Sequence, residues 1–512
     1  MSDTERPRRA STGAGPAPEL IDAGFALEIA DAPLLHRGLG LADIAHVLDL
    51  RAHDLLPEES ARRLLALLVQ TLETPAEDFP YDPAHGEVYN SRERYFVSRL
   101  GEAAGWLHAG RPRREAVRVA LRLHLRSALV DLIEGGADLA GALARLAGAH
   151  TQTWMADQTY LQHAQPSTFG HYALSFAYPV LRDGRRLLDA LAWTNASPSG
   201  AGCVNGTRLL EDRDLAAELL GFAEVIEHTR DAMWQADGLI DMVAVSASLV
   251  TTQSKLAEDL EIWASSEFDY VTIADAYSRA SVLMPQKRNP YALSIVRGAA
   301  GTLIGRVSGV LAVTKTPSAR SDNMIFSYGE VPRAVDLAVR TTRLTAGVIR
   351  TLQVNAGRMW EVLEGGFAQA TDLAEHVMQV CEIDYRSAYH VVGRAVRAAN
   401  RRGLRGVDLD NATLDAAAQE VVGRPLGLSD RDLAEVLDPR RVVLTRTARG
   451  GAAPAEVARM ATERAVDAQD LRATAQQWRS RFRQAEDDLV GIARRLADTE
   501  PGIRSGSPGG TP

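Results

Sequence analysis

Three polar segments carry side chains that packing alone does not require. In Ser281–Pro290 (SVLMPQKRNP), Pro285 and Pro290 bracket Gln286, Lys287, Arg288 and Asn289. Proline cannot continue a helix without losing a hydrogen bond, so the segment reads as a loop. Ser281, Lys287 and Asn289 supply a proton acceptor, a cation and an amide donor. In Leu107–Glu115 (LHAGRPRRE), Arg111, Arg113 and Arg114 follow a glycine at the start of a helical pattern. Helix N-termini attract anions, and guanidinium groups hold carboxylates in a bidentate fork. The same pattern also suits a solvated basic helix start. In Thr159–Pro166 (TYLQHAQP), a hydroxyl, a phenol, two amides and an imidazole fall within what reads as a mostly apolar helical region. Buried polar groups are unfavourable unless paired, so this cluster either faces a wet pocket or closes a structural network.

The elements that must position these segments are helical. Pro57-Glu58-Glu59-Ser60 opens a helix with acids near its positive end, followed by an apolar face of Ala61, Leu64, Leu65, Leu68 and Leu72. Val117, Leu121, Leu125, Leu129 and Leu132 form a second stripe, with Arg118, Arg122 and Arg126 on other faces. Leu256, Leu260 and Trp263 form a third, with Glu258, Asp259 and Glu261 between them. The segments 139–160, 168–193, 229–265 and 290–314 also read as long helices. Strand signals are scarce, and Arg441–Thr445 (RVVLT) is one short candidate. Gly/Pro/Asn clusters at 196–206, 279–290 and 449–454 punctuate the helices. The expected fold is all-α, a long central helical bundle with smaller N- and C-terminal helical domains. The expected boundaries are a disordered arm over 1–25, an N-terminal helical domain over 26–112, the bundle over 113–366, a C-terminal helical domain over 367–498 and a disordered tail over 499–512.

Composition narrows the class. The 512 residues are 46% hydrophobic and 24% charged, ordinary for a globular protein, and aromatics are only 6%. The net charge of −9 does not favour a nucleic-acid partner, although local arginines can still serve small anions. Cys203 and Cys381 cannot build a disulfide framework or a structural zinc site, and this usage fits a reducing cytoplasm. The N-terminal stretch has no apolar region of the kind a secretory signal carries. The longest uncharged stretch, about residues 161–181, includes Gln162, His163, Gln165 and His171, too polar to span a membrane. The expectation is a soluble cytoplasmic protein with no metal, no cofactor, no nucleic acid and no membrane among its partners.

The loop SVLMPQKRNP resembles the signature of the fumarase/aspartase superfamily, written G-S-S-x-M-P-x-K-x-N-P. Further stretches resemble those of argininosuccinate lyases in the same order. They are LHAGRPRREAVRVALRLHLR (107–126), TYLQHAQPSTFGH (159–171), GAGCVNGT (200–207), ELLGF (218–222), LAEDLEIWASSEF (256–268), ATDLAEHV (370–377) and RGGAAPAEV (449–457). The resemblance implies a homotetramer with a twenty-helix core, whose active sites each draw the three polar segments from three subunits. It also implies β-elimination from a succinyl dicarboxylate with release of fumarate. By the same resemblance Ser281 is the base, stabilised as the alkoxide by Lys287 and main-chain N–H groups; Lys287, Asn289, Arg113 and Thr159 bind the carboxylates, and His108 and Gln165 line or support the site.

The sequence departs from that pattern on one side. Tyr160 replaces the family's histidine, and Ser294 stands where argininosuccinate lyases carry the glutamate that pairs with it. Tyr160 is thereby a candidate proton donor or carboxylate ligand. Arg114 replaces an amide. Ala280 and Val282 flank Ser281 where glycine and a second serine are usual. In PSARSDNMIFSY, Arg320, Ile325 and Tyr328 align with substrate-binding residues of other chemistry. The succinyl half is kept and the leaving-group half is rebuilt. This points to a different N-substituted aspartate, a succinyl-amine, -guanidine or -hydrazine. The alternatives are argininosuccinate lyase proper, an isomerase or cycloisomerase on the same fold, and an inactive structural or binding tetramer.

Overall fold

The computed structural model describes residues 15–316 and 322–498; Arg320, residues 1–14 and the tail from residue 499 lie outside them. The described residues are all-α apart from four two-stranded ribbons. Helices α1 (Ala32–Ala52) and α2 (Glu58–Glu73) precede the bundle. The bundle is α3 (Arg113–Ala149), α4 (Phe169–Thr194), α5 (Asp237–Trp263), α6 (Tyr291–Thr314) and α7 (Ile325–Thr351). The last helix, α8 (Pro454–Ala497), returns along α3.

Helix α3 is the axis. It packs on α1, α4, α7 and α8, and Leu125, Leu129, Leu132 and Ile133 are fully buried. Each such side chain contributes roughly 2 kcal/mol by leaving water. The arginines expected on other faces of this helix are buried as well. Arg122 donates to the carbonyls of Trp193 (2.6 Å) and Thr194 (3.3 Å), closing the C-terminal end of α4. Its guanidinium also lies 4.0 Å from the Trp193 ring centroid. Arg126 stacks over Phe482 of α8 at 4.3 Å. Burial brings Arg122 down to about 9 and Arg126 to about 10. Cation–π stacking and carbonyl acceptors keep these charges inside.

A second core gathers α1, α2, the 88–100 helix and the end of α8. A third holds the helices between Ala370 and Leu437. The last helix, α8, contributes side chains both to the bundle core and to the second core.

Helical turns occupy Pro18–Leu20 and Ile21–Phe25, and Ala26–Ala30 follows them. Local readings needed correction in three places. Arg441–Thr445 is not a strand: Asp438 accepts from the Arg440 amide at 2.9 Å and caps a helix over Pro439–Leu444. The helix read over 139–160 stops at Ala149. The helix read over 229–265 is broken between Ala232 and Asp237.

Candidate active site

The polar segment at 159–166 is a β-hairpin, not part of a helix. Strands β1 (Trp154–Thr159) and β2 (Gln162–Thr168) pair antiparallel, with Thr159 opposite Gln162. The turn is Tyr160-Leu161, both in the left-handed region at φ 54° and 59°. Non-glycine residues rarely adopt it. The hairpin base packs Ala156 and Trp154 against Trp360, Leu363 and Ala368. Its tip stands free, with Tyr160 100% exposed and Thr159 and Gln165 also exposed.

Ser281 begins a second hairpin. Strands β3 (Arg279–Ala280) and β4 (Arg288–Asn289) pair, and the Asn289 amide donates to the Arg279 carbonyl at 3.2 Å. Inside this loop, Ser281 Oγ accepts from the amides of Met284 (3.0 Å) and Leu283 (3.3 Å). Two main-chain donors aimed at one hydroxyl oxygen stabilise negative charge on it. Among the described residues no hydrogen bond joins Lys287 to Ser281 Oγ. The loop tip is open, with Val282 and Leu283 essentially bare and Lys287 exposed.

The arginine segment is built differently. Arg113 is the first residue of α3, and its neighbours on both sides are anchored. Buried Arg111 donates to Asp43 (2.5 Å), to the Ala42 carbonyl (2.9 Å) and to the Tyr89 hydroxyl (3.1 Å). Buried Glu115 accepts from the amides of Gly200 (2.8 Å) and Gly202 (2.7 Å). Gly202 has φ 62°, and a Cβ there would meet the Gly206 carbonyl oxygen at 2.4 Å, so the GAGCVNG loop is shaped to this carboxylate. Burial raises Glu115 to about 7 despite those amides. His108 faces Glu93 at 2.8 Å and lies edge-on to Tyr89, as a brace beside the segment.

Arg113 and Arg114 line a cavity of about 280 Å³. Its apolar wall includes Phe25, Leu35, Val117 and Ile325, and Tyr328 also lines it. Four carboxylates face in: Glu28, Asp31, Glu87 and Asp322. Glu87 Oε1 sits 3.7 Å from Arg113 Nη1, and Arg114 pairs with Asp322. The guanidinium that replaced an amide at position 114 thus has an acid in the departing segment of sequence. Ile325 and Tyr328 were singled out by that segment. Glu28, Asp31 and Glu87 carry no motif and lie far from it in sequence. Only their position before and between helices that meet at Arg113 brings them here.

Among the described residues, no hydrogen bond or ion pair joins the arginine segment, the 159–166 hairpin and the Ser281 loop. Ser294 donates to Glu261 at 3.3 Å, and that carboxylate also holds Arg297 at 2.8 Å. Among the described residues no cluster of three or more His, Cys, Asp or Glu side chains is arranged for a metal ion.

A family model described as lyase matches residues 51–305, and one described as argininosuccinate lyase C-terminal matches residues 367–444. The chain is 34% identical over 463 residues to an argininosuccinate lyase of Methanoculleus marisnigri, covering 89% of this chain and 92% of that one. The chain belongs to the fumarase/aspartase superfamily. An argininosuccinate lyase of a Mycobacterium species is 36% identical over 422 residues, 82% of this chain and 88% of its own. Among solved structures of this superfamily fold, EDDS lyase in complex with formate aligns at a TM-score of 0.84 and 25% identity, covering 94% and 96% of the two chains. The 3-carboxy-cis,cis-muconate lactonizing enzyme of Pseudomonas putida shares the fold at a TM-score of 0.69 and 21% identity, covering 88% and 99%.

Proposed function

We propose that this chain is a carbon–nitrogen lyase that eliminates fumarate from an N-substituted aspartate, working as a cytoplasmic homotetramer with shared sites. The observation that carries the reading is Ser281 Oγ under the amides of Leu283 and Met284 in the superfamily's signature loop. A serine alkoxide held this way can take the weakly acidic proton beside a carboxylate. Lys287, Asn289, Thr159 and Arg113 then hold the carboxylates as negative charge builds up. Preorganised donors of this kind contribute on the order of 3–4 kcal/mol each. Tyr160 and Gln165 approach from the hairpin, where the left-handed turn aims the phenol outward. Arg114 and Arg320 belong to the leaving-group side.

The need for neighbours is supported by the surface of α6. Its outer side exposes Tyr291, Ile295, Ile304 and Leu311, and nothing lies within 4 Å of a Cβ added at Gly298, Gly301, Gly305 or Gly309. By length and composition α6 is the one helix among the described residues apolar enough to cross a membrane. Its Arg297 is paired with Glu261 and Glu258, and its Arg306 with Glu330, which suits a helix packed in a protein core. Identical helices from other copies would cover that face and bring the three segments together.

The test is to incubate the protein with fumarate and methylamine, 1,2-diaminoethane, guanidine or hydrazine, and separately with argininosuccinate, while following fumarate absorbance. Fumarate consumed with a nitrogen nucleophile, and not by Ser281→Ala, supports the reading. No change in fumarate in any mixture contradicts it. Release of fumarate from argininosuccinate alone makes the chain an argininosuccinate lyase proper.

A further inference from the structure

Elimination of an amine requires a proton at the departing nitrogen, and the Tyr160 phenol stands fully exposed at the hairpin tip. The cavity beside Arg113 holds another candidate. Of its four carboxylates, three are engaged. Asp31 pairs with Arg333 at 2.5 Å, Asp322 pairs with Arg114, and Glu87 accepts from the amides of Tyr89 (2.7 Å) and Asn90 (3.2 Å) beside Arg113. Among the described residues, no hydrogen bond or ion pair reaches the Glu28 carboxylate. It is half-buried and enters the cavity alongside the apolar Phe25, Leu35, Val117 and Ile325.

We infer that Glu28 is the general acid of the reaction, donating its proton to the departing nitrogen while Ser281 of a neighbouring chain removes the proton from carbon. This rests on the lyase reading above. The electrons of the C–H bond become the new C=C bond, and the C–N bond breaks with its pair on nitrogen. The nitrogen takes the Glu28 proton, Ser281 ends as a hydroxyl and Glu28 as a carboxylate, and solvent restores both. The groups facing Glu28 from each side fit the role. Burial is the largest influence on it and raises it, Glu87, Asp322 and Asp31 push in the same direction, and Arg113 pulls the other way. Their sum places Glu28 at about 7, where an acid can both hold and release a proton near neutrality. Arg114 and Tyr328 complete the charged and titratable lining.

The test runs in the reverse direction, where Glu28 must act as the base that takes the proton from the added nitrogen. Rates with fumarate and each of methylamine, 1,2-diaminoethane, guanidine and hydrazine are measured against pH for wild type, Glu28→Gln and Glu28→Asp. Wild type should show a rate that rises through pH about 7. Glu28→Gln should lose that inflection and about 10²–10³-fold in kcat with the alkylamines. The loss with hydrazine should be smaller, because its less basic nitrogen sheds a proton more readily. Glu28→Asp should keep an inflection, which separates proton transfer from mere support of the fold. A Glu28→Gln enzyme that keeps the inflection and its kcat overturns the inference while leaving the lyase reading intact. So does a variant that changes KM alone, or loses rate equally with every nucleophile. No fumarate consumed by wild type with any of the four overturns both.

Discussion

At the start of α3, Arg113 stands between two fixed neighbours, Arg111 buried on Asp43 and Glu115 buried on the amides of Gly200 and Gly202. Around Ser281 the chain supplies little beyond its own turn, and Val282 and Leu283 lie in the open at 105% and 85% exposure. One region is finished within its chain; the other presents a hydroxyl under two main-chain amides on a bare apolar loop. The difference separates two jobs. A carboxylate anchor must not move, because the position of the reacting carbon depends on it. A base on a loop must become covered, because an alkoxide in water is quickly protonated. On the proposed reading, the first job is served by buried ionic braces and the second would fall to a neighbouring chain over the loop.

This contrast can be broken from either side, and the largest effect is expected at the loop. Ser281→Ala should lower kcat by roughly 10³-fold or more with little change in melting temperature, since the side chain braces nothing but its own turn. Steady-state rates and a thermal melt on the same sample check both halves. Asp43→Asn should do the opposite. Asp43 is fully buried and holds Arg92 at 3.0 Å and Arg111 at 2.5 Å. Without its charge two guanidinium groups stay buried and unpaired, and destabilisation of about 3–5 kcal/mol is expected in chemical unfolding. Next in size, Arg113→Lys keeps the charge but loses the bidentate fork. KM for fumarate should rise about tenfold, with the fold intact.

The smallest effect is one of pH. Glu115 is raised from 4.5 to about 7 in the folded chain by burial. Its protonated form is therefore favoured by folding. Its contribution to stability is fully present below pH 4.5 and is lost as the pH rises through about 7. The melting temperature of wild type should climb relative to Glu115→Gln as the pH is lowered through that window. Equal pH dependence in the two proteins would contradict the assignment.

Much of this organisation was legible in the sequence, for identifiable reasons. Arg113 follows Pro112 and begins an apolar stripe from Val117 to Leu132, so both its helix and its place on it could be read. The Ser281 loop was legible because its prolines forbid a helix. The 154–168 hairpin was not. Its strands do not alternate cleanly, and its turn uses Tyr160-Leu161 where glycine or asparagine would have announced a reversal. Arg441–Thr445 misled in the other direction, because Val442 and Val443 suggest a strand while the capping carboxylate of Asp438 decides for a helix. The buried state of Arg118, Arg122 and Arg126 was invisible too, since the Trp193 and Phe482 rings that receive Arg122 and Arg126 come from other helices. The acid wall around Arg113 was hidden for the same reason. Glu28, Glu87 and Asp322 are neighbours only after the chain has folded.

The central claim, that Ser281 of one chain acts with Arg113 of another, is tested most directly by mixing subunits. Ser281→Ala and Arg113→Gln proteins, each inactive alone, are dissociated together and reassembled, with native mass spectrometry used to establish that mixed oligomers form. Recovery of fumarate turnover well above either parent is the predicted result. Mixed oligomers as inactive as both parents would contradict it.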